Sequence, residues 1–180
     1  MNIKKITYQN PEHTVIEIET DGATFSVPLP CHTWHNEHIQ EWLSGGNIIE
    51  PFQTDAQALE SAMSAKRLEL RASVSAAIQS GIQHDALGAQ HSYPTQQTDQ
   101  LNLTALVTAE KTYGDAMTPV HFWCADAAGD WARRAHTGPQ IEAVGMAVMH
   151  HVQAQQGKYE GLLGQLAAAQ SIADVEAITW

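Results

Sequence analysis

The residues most able to do chemistry lie close together in the first quarter of the chain. Cys31 is followed by His32, His35 and His38, and a spacing of three places these histidines on one face if the segment is helical. Thiolate and imidazole are ligands that zinc prefers, and a zinc site needs three or four converging ligands. No HExxH motif and no second Cys/His pair accompanies the cluster. We therefore expect surface or helix-capping histidines, and no metal site.

The other candidate groups indicate no reaction. His150 and His151 stand as an isolated pair, and Asp126 and Asp130 supply too few oxygen ligands for a calcium loop or an acid–base pair. We interpret residues 125–130 as a solvated turn. The sequence has no GxSxG elbow and no glycine-rich phosphate loop. We predict a protein that is not an enzyme, with no catalytic residues, no metal and no cofactor.

Cysteine usage and the segment MNIKKITYQN bear on the compartment. Cys31 and Cys124 lie far apart, whereas a small secreted scaffold would carry more cysteines, so we expect two buried, reduced thiols. The opening segment lacks the apolar run of a signal peptide, and no stretch reaches the ~18 apolar residues of a membrane span. These features predict folding in a cytoplasm and no membrane partner.

The charge balance excludes a further class of partner. Nine lysines and arginines stand against twenty acidic residues, giving a net charge of −11, and the basic residues are scattered. Binding to phosphates requires a basic patch. We therefore expect the protein to bind neither nucleic acid nor an anionic membrane surface.

Five tryptophans are many for a chain with three phenylalanines. Trp123 and Trp131 flank a turn, and we expect them to form a cross-strand or core pair in a hairpin. Trp180 ends the sequence, and we interpret it as packed, on the long helix described below, because an undocked terminus frays. A docking peptide for a partner is the alternative.

The first fifty residues predict a small β meander. Apolar and polar residues alternate over Ile3–Tyr8 and Thr14–Ile18, as in half-buried strands. Asp21-Gly22 is typical of a hairpin turn and leads to a third strand, Ala23–Val27. A short helix is predicted over His38–Leu43.

A connector helix is predicted over residues 55–80. Thr54 and Gln57 form a capping-box pattern at its start. Its apolar residues form one narrow stripe, which indicates contact with a partner on one side only: Leu59, Met63, Leu70, Val74 and Ile78.

The last hundred residues alternate between helix and hairpin signals. We predict a loop over His84–Pro94, a helix over Asp99–Lys111 capped by Thr98, and a hairpin of Val120–Ala125 with Trp131–Ala135.

A long helix then starts at Thr137, with Gln140 at the capping-box position. Its apolar stripe is nearly 3.5-periodic: Ile141, Val144, Val148, Val152, Gln155, Tyr159, Leu162 and Leu166. About 30 residues would extend roughly 45 Å, which is longer than a small core. The helix is expected to pack against an antiparallel helix of the same chain; a bundle between identical copies is the alternative.

These elements together predict an α+β fold with three parts. Residues 1–52 form the N-terminal β meander module, residues 53–81 the connector helix, and residues 82–180 a C-terminal α-rich domain with a β-hairpin and a long helix.

Blocks of sequence in the last hundred residues resemble a domain of unknown function found near the C-termini of phage and prophage tail proteins. The blocks are Asp85–Pro94, Thr98–Leu103, Trp123–Asp126, Gly129–Trp131, His136–Gln140 and Val175–Trp180. Upstream, Glu41–Asn47 with Glu50-Pro51 is similar to a segment of tail-fibre-associated and tail-fibre-assembly proteins.

The resemblance implies a structural protein of a bacteriophage tail or tail fibre that acts through protein contacts. A chaperone that binds the fibre during trimerisation is the alternative, and a metal-dependent enzyme is a remote third. Implied partners are tail or tail-fibre proteins, with homo-oligomerisation as a further option, in the bacterial host cytoplasm during assembly or in the virion tail. The residues predicted to contact a partner are Leu59, Met63, Leu70, Val74, Ile141, Val148, Val152, Tyr159 and Trp180.

Overall fold

The fold is α+β, as the sequence predicts. The computed structural model describes residues 2–180, apart from the side chains of Thr33 and Asp115. The chain divides into two compact units, residues 1–61 and 62–180, and each is described by itself. Within the described residues, no helix is both long enough and apolar enough to cross a bilayer.

The first unit is built on a three-stranded antiparallel sheet in the order β1-β2-β3. The strands are β1 (Ile3–Tyr8), β2 (Val15–Thr20) and β3 (Thr24–Pro28), close to the predicted bounds. Alternation sends Ile6, Ile16 and Ile18 into the core, where all three are fully buried. The predicted meander is therefore confirmed.

Helix α1 (Thr33–Ser44) covers the sheet core with Ile39, which is 4% exposed. It begins five residues before the predicted start at His38. The reason is that Trp34 and Asn36 in its first turn are exposed and that the turn has no side-chain cap, so neither an apolar stripe nor a capping pattern marks it in the sequence.

Helix α2 (Asp55–Gln79) follows with the predicted cap. The Gln57 N–H donates to Thr54 Oγ1 at 3.2 Å, and the Thr54 N–H donates to Gln57 Oε1 at 3.0 Å. These reciprocal bonds satisfy two amides that a helix start otherwise leaves without partners.

The second unit contains a four-stranded antiparallel sheet in the order β4-β5-β6-β7. The strands are β4 (Ile82–His84), β5 (His91–Tyr93), β6 (Val120–Ala125) and β7 (Trp131–His136). The β6–β7 hairpin was predicted. The loop predicted over His84–Pro94 is wrong, because that range includes the last residue of β4 and all of β5, which pair as a hairpin. Strands of three residues are too short to show alternation.

Helices α3 (Gln97–Tyr113), α4 (Gly138–Ala168) and α5 (Ile172–Ala177) complete the second unit. The predicted Thr137–Gln140 capping box of α4 is present. The predicted Thr98 cap of α3 is wrong: the cap is Gln96, whose N–H donates to Asp99 Oδ2 at 3.1 Å. Glutamine is an uncommon cap, so the sequence favoured threonine.

Helices α3 and α4 pack antiparallel. Lys111 Nζ lies 2.6 Å from Glu142 Oε1, and further along Gly145 faces Val107. The shared core also contains Leu103 and Val148. The predicted antiparallel helix of the same chain is therefore α3, and α4 also meets α2 where His151 Nε2 donates to the Ala77 carbonyl at 2.9 Å.

Candidate functional site

The histidines of the sequence cluster lie on α1 and just before it. Among the described residues, no group of three histidine, cysteine, aspartate or glutamate side chains could hold a metal ion. His32 is exposed and Cys31 only partly buried. His38 Nδ1 donates to the Trp34 carbonyl at 2.9 Å, which ties that ring to its own helix.

Both cysteines are free thiols, as predicted. Cys124 is fully buried, and burial raises the pKa of its thiol, so it stays protonated. Cys31 is partly exposed, which corrects the prediction that both thiols are buried. It lies beyond the last strand of the first sheet, where the short core does not cover it completely.

The residues that could do acid–base chemistry instead meet in the interior of the second unit. Tyr93 and His136 are both fully buried, and Tyr93 Oη lies 3.1 Å from His136 Nε2. His136 Nδ1 lies 2.9 Å from the Arg134 carbonyl, which can only accept. Nδ1 therefore carries the proton of the neutral ring, and Nε2 accepts from the Tyr93 hydroxyl.

Burial sets the protonation states of this pair. It lowers the pKa of His136 and raises the pKa of Tyr93, so both side chains are neutral near pH 7. No solvent reaches either residue. The pair can hold the sheet together but offers no route for a substrate, and we assign it to the fold.

Arg134 ties this interior to the turn between β6 and β7. Its Nη1 donates to the Cys124 carbonyl at 2.6 Å, and its Nη2 donates to Asp126 Oδ2 at 2.9 Å. Asp126 Oδ1 also accepts the N–H groups of Asp130 and Ala128, and these hydrogen bonds lower the pKa of the Asp126 carboxyl. Asp126 therefore orders the predicted turn, and it is a carboxylate at neutral pH.

The two hairpin tryptophans are not in the core. Trp123 is 48% exposed and Trp131 is 50% exposed, so the core alternative of the predicted pair is wrong; the two residues lie diagonally across the two strands of the hairpin. The inward face of β6 is taken by Val120, Phe122 and Cys124, and alternation sends Trp123 outward.

An apolar groove of about 500 Å³ lies between α3 and α4, and we call it the α3–α4 groove. Thr104, Val107, Gly145, Met146 and Met149 are among its lining residues. Met146 is 52% exposed and Met149 is 42% exposed. Two unbranched apolar side chains at a groove rim suit contact with another protein, because methionine adapts to varied surfaces.

The floor of this groove depends on Gly145. A Cβ added there would lie 3.1 Å from Val107 Cγ2, so the absence of a side chain lets the two helices approach closely. The Lys111–Glu142 ion pair marks one end of the groove. The result is an apolar channel with a charged end.

Comparison with known families places most of the chain in one of them. The family described as a domain of unknown function, DUF4376, matches residues 49–179. The chain belongs to the DUF4376 family. No curated protein and no solved structure matches it.

The DUF4376 match covers the buried network, the α3–α4 groove and every block quoted for the resemblance except Glu41–Asn47 and the final residue, Trp180. The blocks hold both halves of the buried pair, Tyr93 and His136, together with Cys124 and Asp126. Much of the sequence resemblance therefore rests on residues of the buried network and of the turn between β6 and β7.

The residues predicted to contact a partner separate into two groups. Leu70, Val74, Ile141 and Val148 are buried, with Val148 also at the groove. Leu59, Met63, Val152, Tyr159 and Trp180 are partly exposed. Leu70, Val74 and Ile141 serve the fold of the chain itself, since the predicted stripes are the faces that α2 and α4 bury.

Trp180 is docked, as predicted. Lys158 Nζ on α4 lies 4.4 Å from the centre of its ring, a cation–π contact, and the neighbouring Ile178 is buried. The sequence missed the rim of the groove, Met146 and Met149. In the sequence, these two methionines differ only in being apolar and lying off the main stripe of α4, and single exposed apolar residues are common on protein surfaces.

Proposed function

We propose that this DUF4376 protein is a non-enzymatic accessory protein of a bacteriophage tail or tail fibre, and that it binds an amphipathic helix of a tail protein in the α3–α4 groove. The observation that carries the proposal is the groove itself, with Met146 and Met149 exposed along its rim. The tail context comes from the sequence resemblance.

The dimensions and lining of the groove suit a helix. It extends along α4 from Glu142 to Gln153, roughly 16 Å at 1.5 Å per residue, which is about three helical turns. A helix laid in an apolar groove anchors through residues at i, i+3, i+4 and i+7, and a run of three turns supplies such a set. Val107 and Val152 offer the apolar contacts.

The charged end selects no sign of charge on the ligand helix. Lys111 is 63% exposed at its side chain but is paired with Glu142, and Glu110 acts on both of these groups. Two carboxylates therefore accompany the one cation at that end. The expected partner segment is apolar on one face.

The test is a charge placed on the groove rim. The tagged chain would be co-expressed with the tail or tail-fibre protein encoded beside it, and co-purification measured. Met149→Glu should reduce binding at least about tenfold, because a carboxylate would be desolvated against apolar side chains. Ile172→Glu is the matched control, since Ile172 is also 42% exposed but lies on α5 outside the groove.

The proposal fails if both variants bind like the natural chain, or if both lose binding equally. Mass spectrometry of purified virions then separates a tail component, present in defined copy number, from an assembly chaperone, which is absent from them.

A further inference from the structure

The outer face of the four-stranded sheet carries two tryptophans that the chain leaves half exposed. Ala125 pairs with Trp131 and Trp123 with Arg133, so both indoles project from the same face at diagonal positions. Diagonal neighbours are about 7–8 Å apart. A tryptophan usually buries most of its ring, so two of them side by side at about half exposure form an apolar platform.

A groove of about 550 Å³ adjoins the platform at Trp131. Its polar walls come from Ser80 just after α2, Gln83 on β4, Ser92 on β5 and Gln96 before α3. Gln83 Nε2 donates to Ser92 Oγ at 2.6 Å, which holds both side chains in place before any ligand arrives.

Small residues open this groove. An added Cβ at Gly81 would lie 2.9 Å from the Tyr93 carbonyl oxygen, and the φ of Gly81 is +89°. Glycine is therefore required for β4 to leave α2 at this point. On the outer face, Ala125 lies between Ser92 and Trp131 and is 3% exposed, so neighbouring side chains cover its methyl group.

The chemistry of the walls selects the ligand. No residue lining the groove is charged, although the chain carries a net charge of −11. On the platform, Arg133 lies opposite Trp123, and its Nη2 donates to the His121 carbonyl at 3.4 Å, on the side away from Trp131 and the groove. A nucleic acid would need cationic partners for its phosphates, and an acidic or basic peptide would need opposite charges. Amides and hydroxyls both donate and accept hydrogen bonds, and the indole offers a flat apolar surface. That combination fits a sugar ring, which has an apolar C–H face and a rim of hydroxyls.

We propose that this surface, defined by Trp123, Trp131 and the polar groove beside Trp131, binds a neutral polysaccharide. One sugar ring packs on Trp131, its hydroxyls bond to the amides and hydroxyls of the groove, and a neighbouring ring lies over Trp123. The site is on a different face from the α3–α4 groove and does not depend on the tail role.

Affinity gel electrophoresis of the full chain tests the site. The probes are three neutral polysaccharides, a mixed-linkage β-glucan, glycogen and a galactomannan, with alginate as the acidic comparison. At least one neutral gel should retard the chain, and alginate should not. Trp131→Ala should weaken the retardation at least about tenfold, and Gln83→Ala less so.

Trp34→Ala is the matched control, because Trp34 is 54% exposed but lies on α1 in the first unit. Circular dichroism should show all variants folded, since each change is at the surface. Failure of all three neutral polysaccharides to retard the chain would overturn the proposal. So would equal losses for Trp131→Ala and Trp34→Ala, or a Trp131→Ala variant that instead loses binding to a tail protein.

Discussion

Single residues in this protein show how burial turns reactive side chains into structural ones. The Tyr93–His136 pair has the atoms of an acid–base couple, but both ring nitrogens of His136 form hydrogen bonds inside the unit, one to the Tyr93 hydroxyl and one to the Arg134 carbonyl. A buried polar group without a partner costs about 1–3 kcal/mol, so each member fixes the position of the other. Burial of the same pair also predicts that the stability of the fold depends on pH.

His136 predicts that acid destabilises the protein before its carboxylates titrate. Its folded pKa lies below the unfolded value of about 6.5, because burial disfavours the charged ring. Unfolded chains therefore take up a proton at His136 that folded chains do not. The contribution of His136 to stability is complete above the unfolded pKa of about 6.5, and it is lost as the pH falls from about 6.5 through the folded pKa. Urea unfolding at about pH 7.5 and 5.5 should show the loss.

Two variants test whether His136 causes the loss of stability at the lower pH. His136→Gln should be less stable at neutral pH and should show a smaller difference between the two pH values, because the titrating group is gone. His150→Gln changes an exposed histidine and should behave like the natural chain. An undiminished pH difference in His136→Gln would show that another group is responsible.

Individual residues also show why part of the candidate site could not be predicted. Trp123 and Trp131 have the same parity across the hairpin, so the sequence places them on one face. It does not say which face, because Phe122 and Cys124 are apolar too. The contact with α3 and α4 decides the matter, and that contact depends on distant parts of the chain.

Among the elements, α4 contains glycines that all lie within the helix but differ in what surrounds them. Nothing lies within 4 Å of a Cβ added at Gly157 or Gly161, whereas one at Gly145 would meet Val107. Glycine within a helix costs about 0.5–1 kcal/mol relative to alanine. We therefore expect Gly161→Ala to raise the free energy of unfolding by about that amount.

The comparison with Gly145 makes this a test of packing rather than of helix propensity. Gly145→Ala should gain clearly less than Gly161→Ala, or lose stability, because the methyl group presses on Val107. Urea denaturation of both variants measures the difference. Equal gains would mean that α3 yields freely, and the close approach at the floor of the groove would then be unimportant.

Elements with strong local signals were predictable, and short ones were not. The α4 start followed from Thr137 and Gln140, whose reciprocal bonds act within one turn. The β4–β5 hairpin is held instead by Thr95, which donates to the Ile78 carbonyl and accepts from the Gly81 N–H. These contacts bridge fourteen or more positions, which local patterns do not reach.

For the whole molecule, the burial of the α4 stripe within its own chain bears on assembly. Ile141, Val144, Val148, Leu162 and Leu166 are buried by other parts of the same chain. Few apolar residues of the long helix remain for a bundle of identical copies. We expect sedimentation equilibrium of the full chain to give the monomer mass of 19.7 kDa. A stable dimer at micromolar concentration would contradict this expectation and would favour a helix bundle between identical copies.

The most direct test of the central claim is photo-crosslinking from the rim of the α3–α4 groove during phage production. A photoreactive phenylalanine analogue would replace Met149, or Ile172 as the control, in cells in which the proposed parent phage or prophage is induced. We expect position 149, and not position 172, to form an adduct that mass spectrometry identifies as a tail or tail-fibre protein. No adduct at position 149, or the same adducts at both positions, would contradict it.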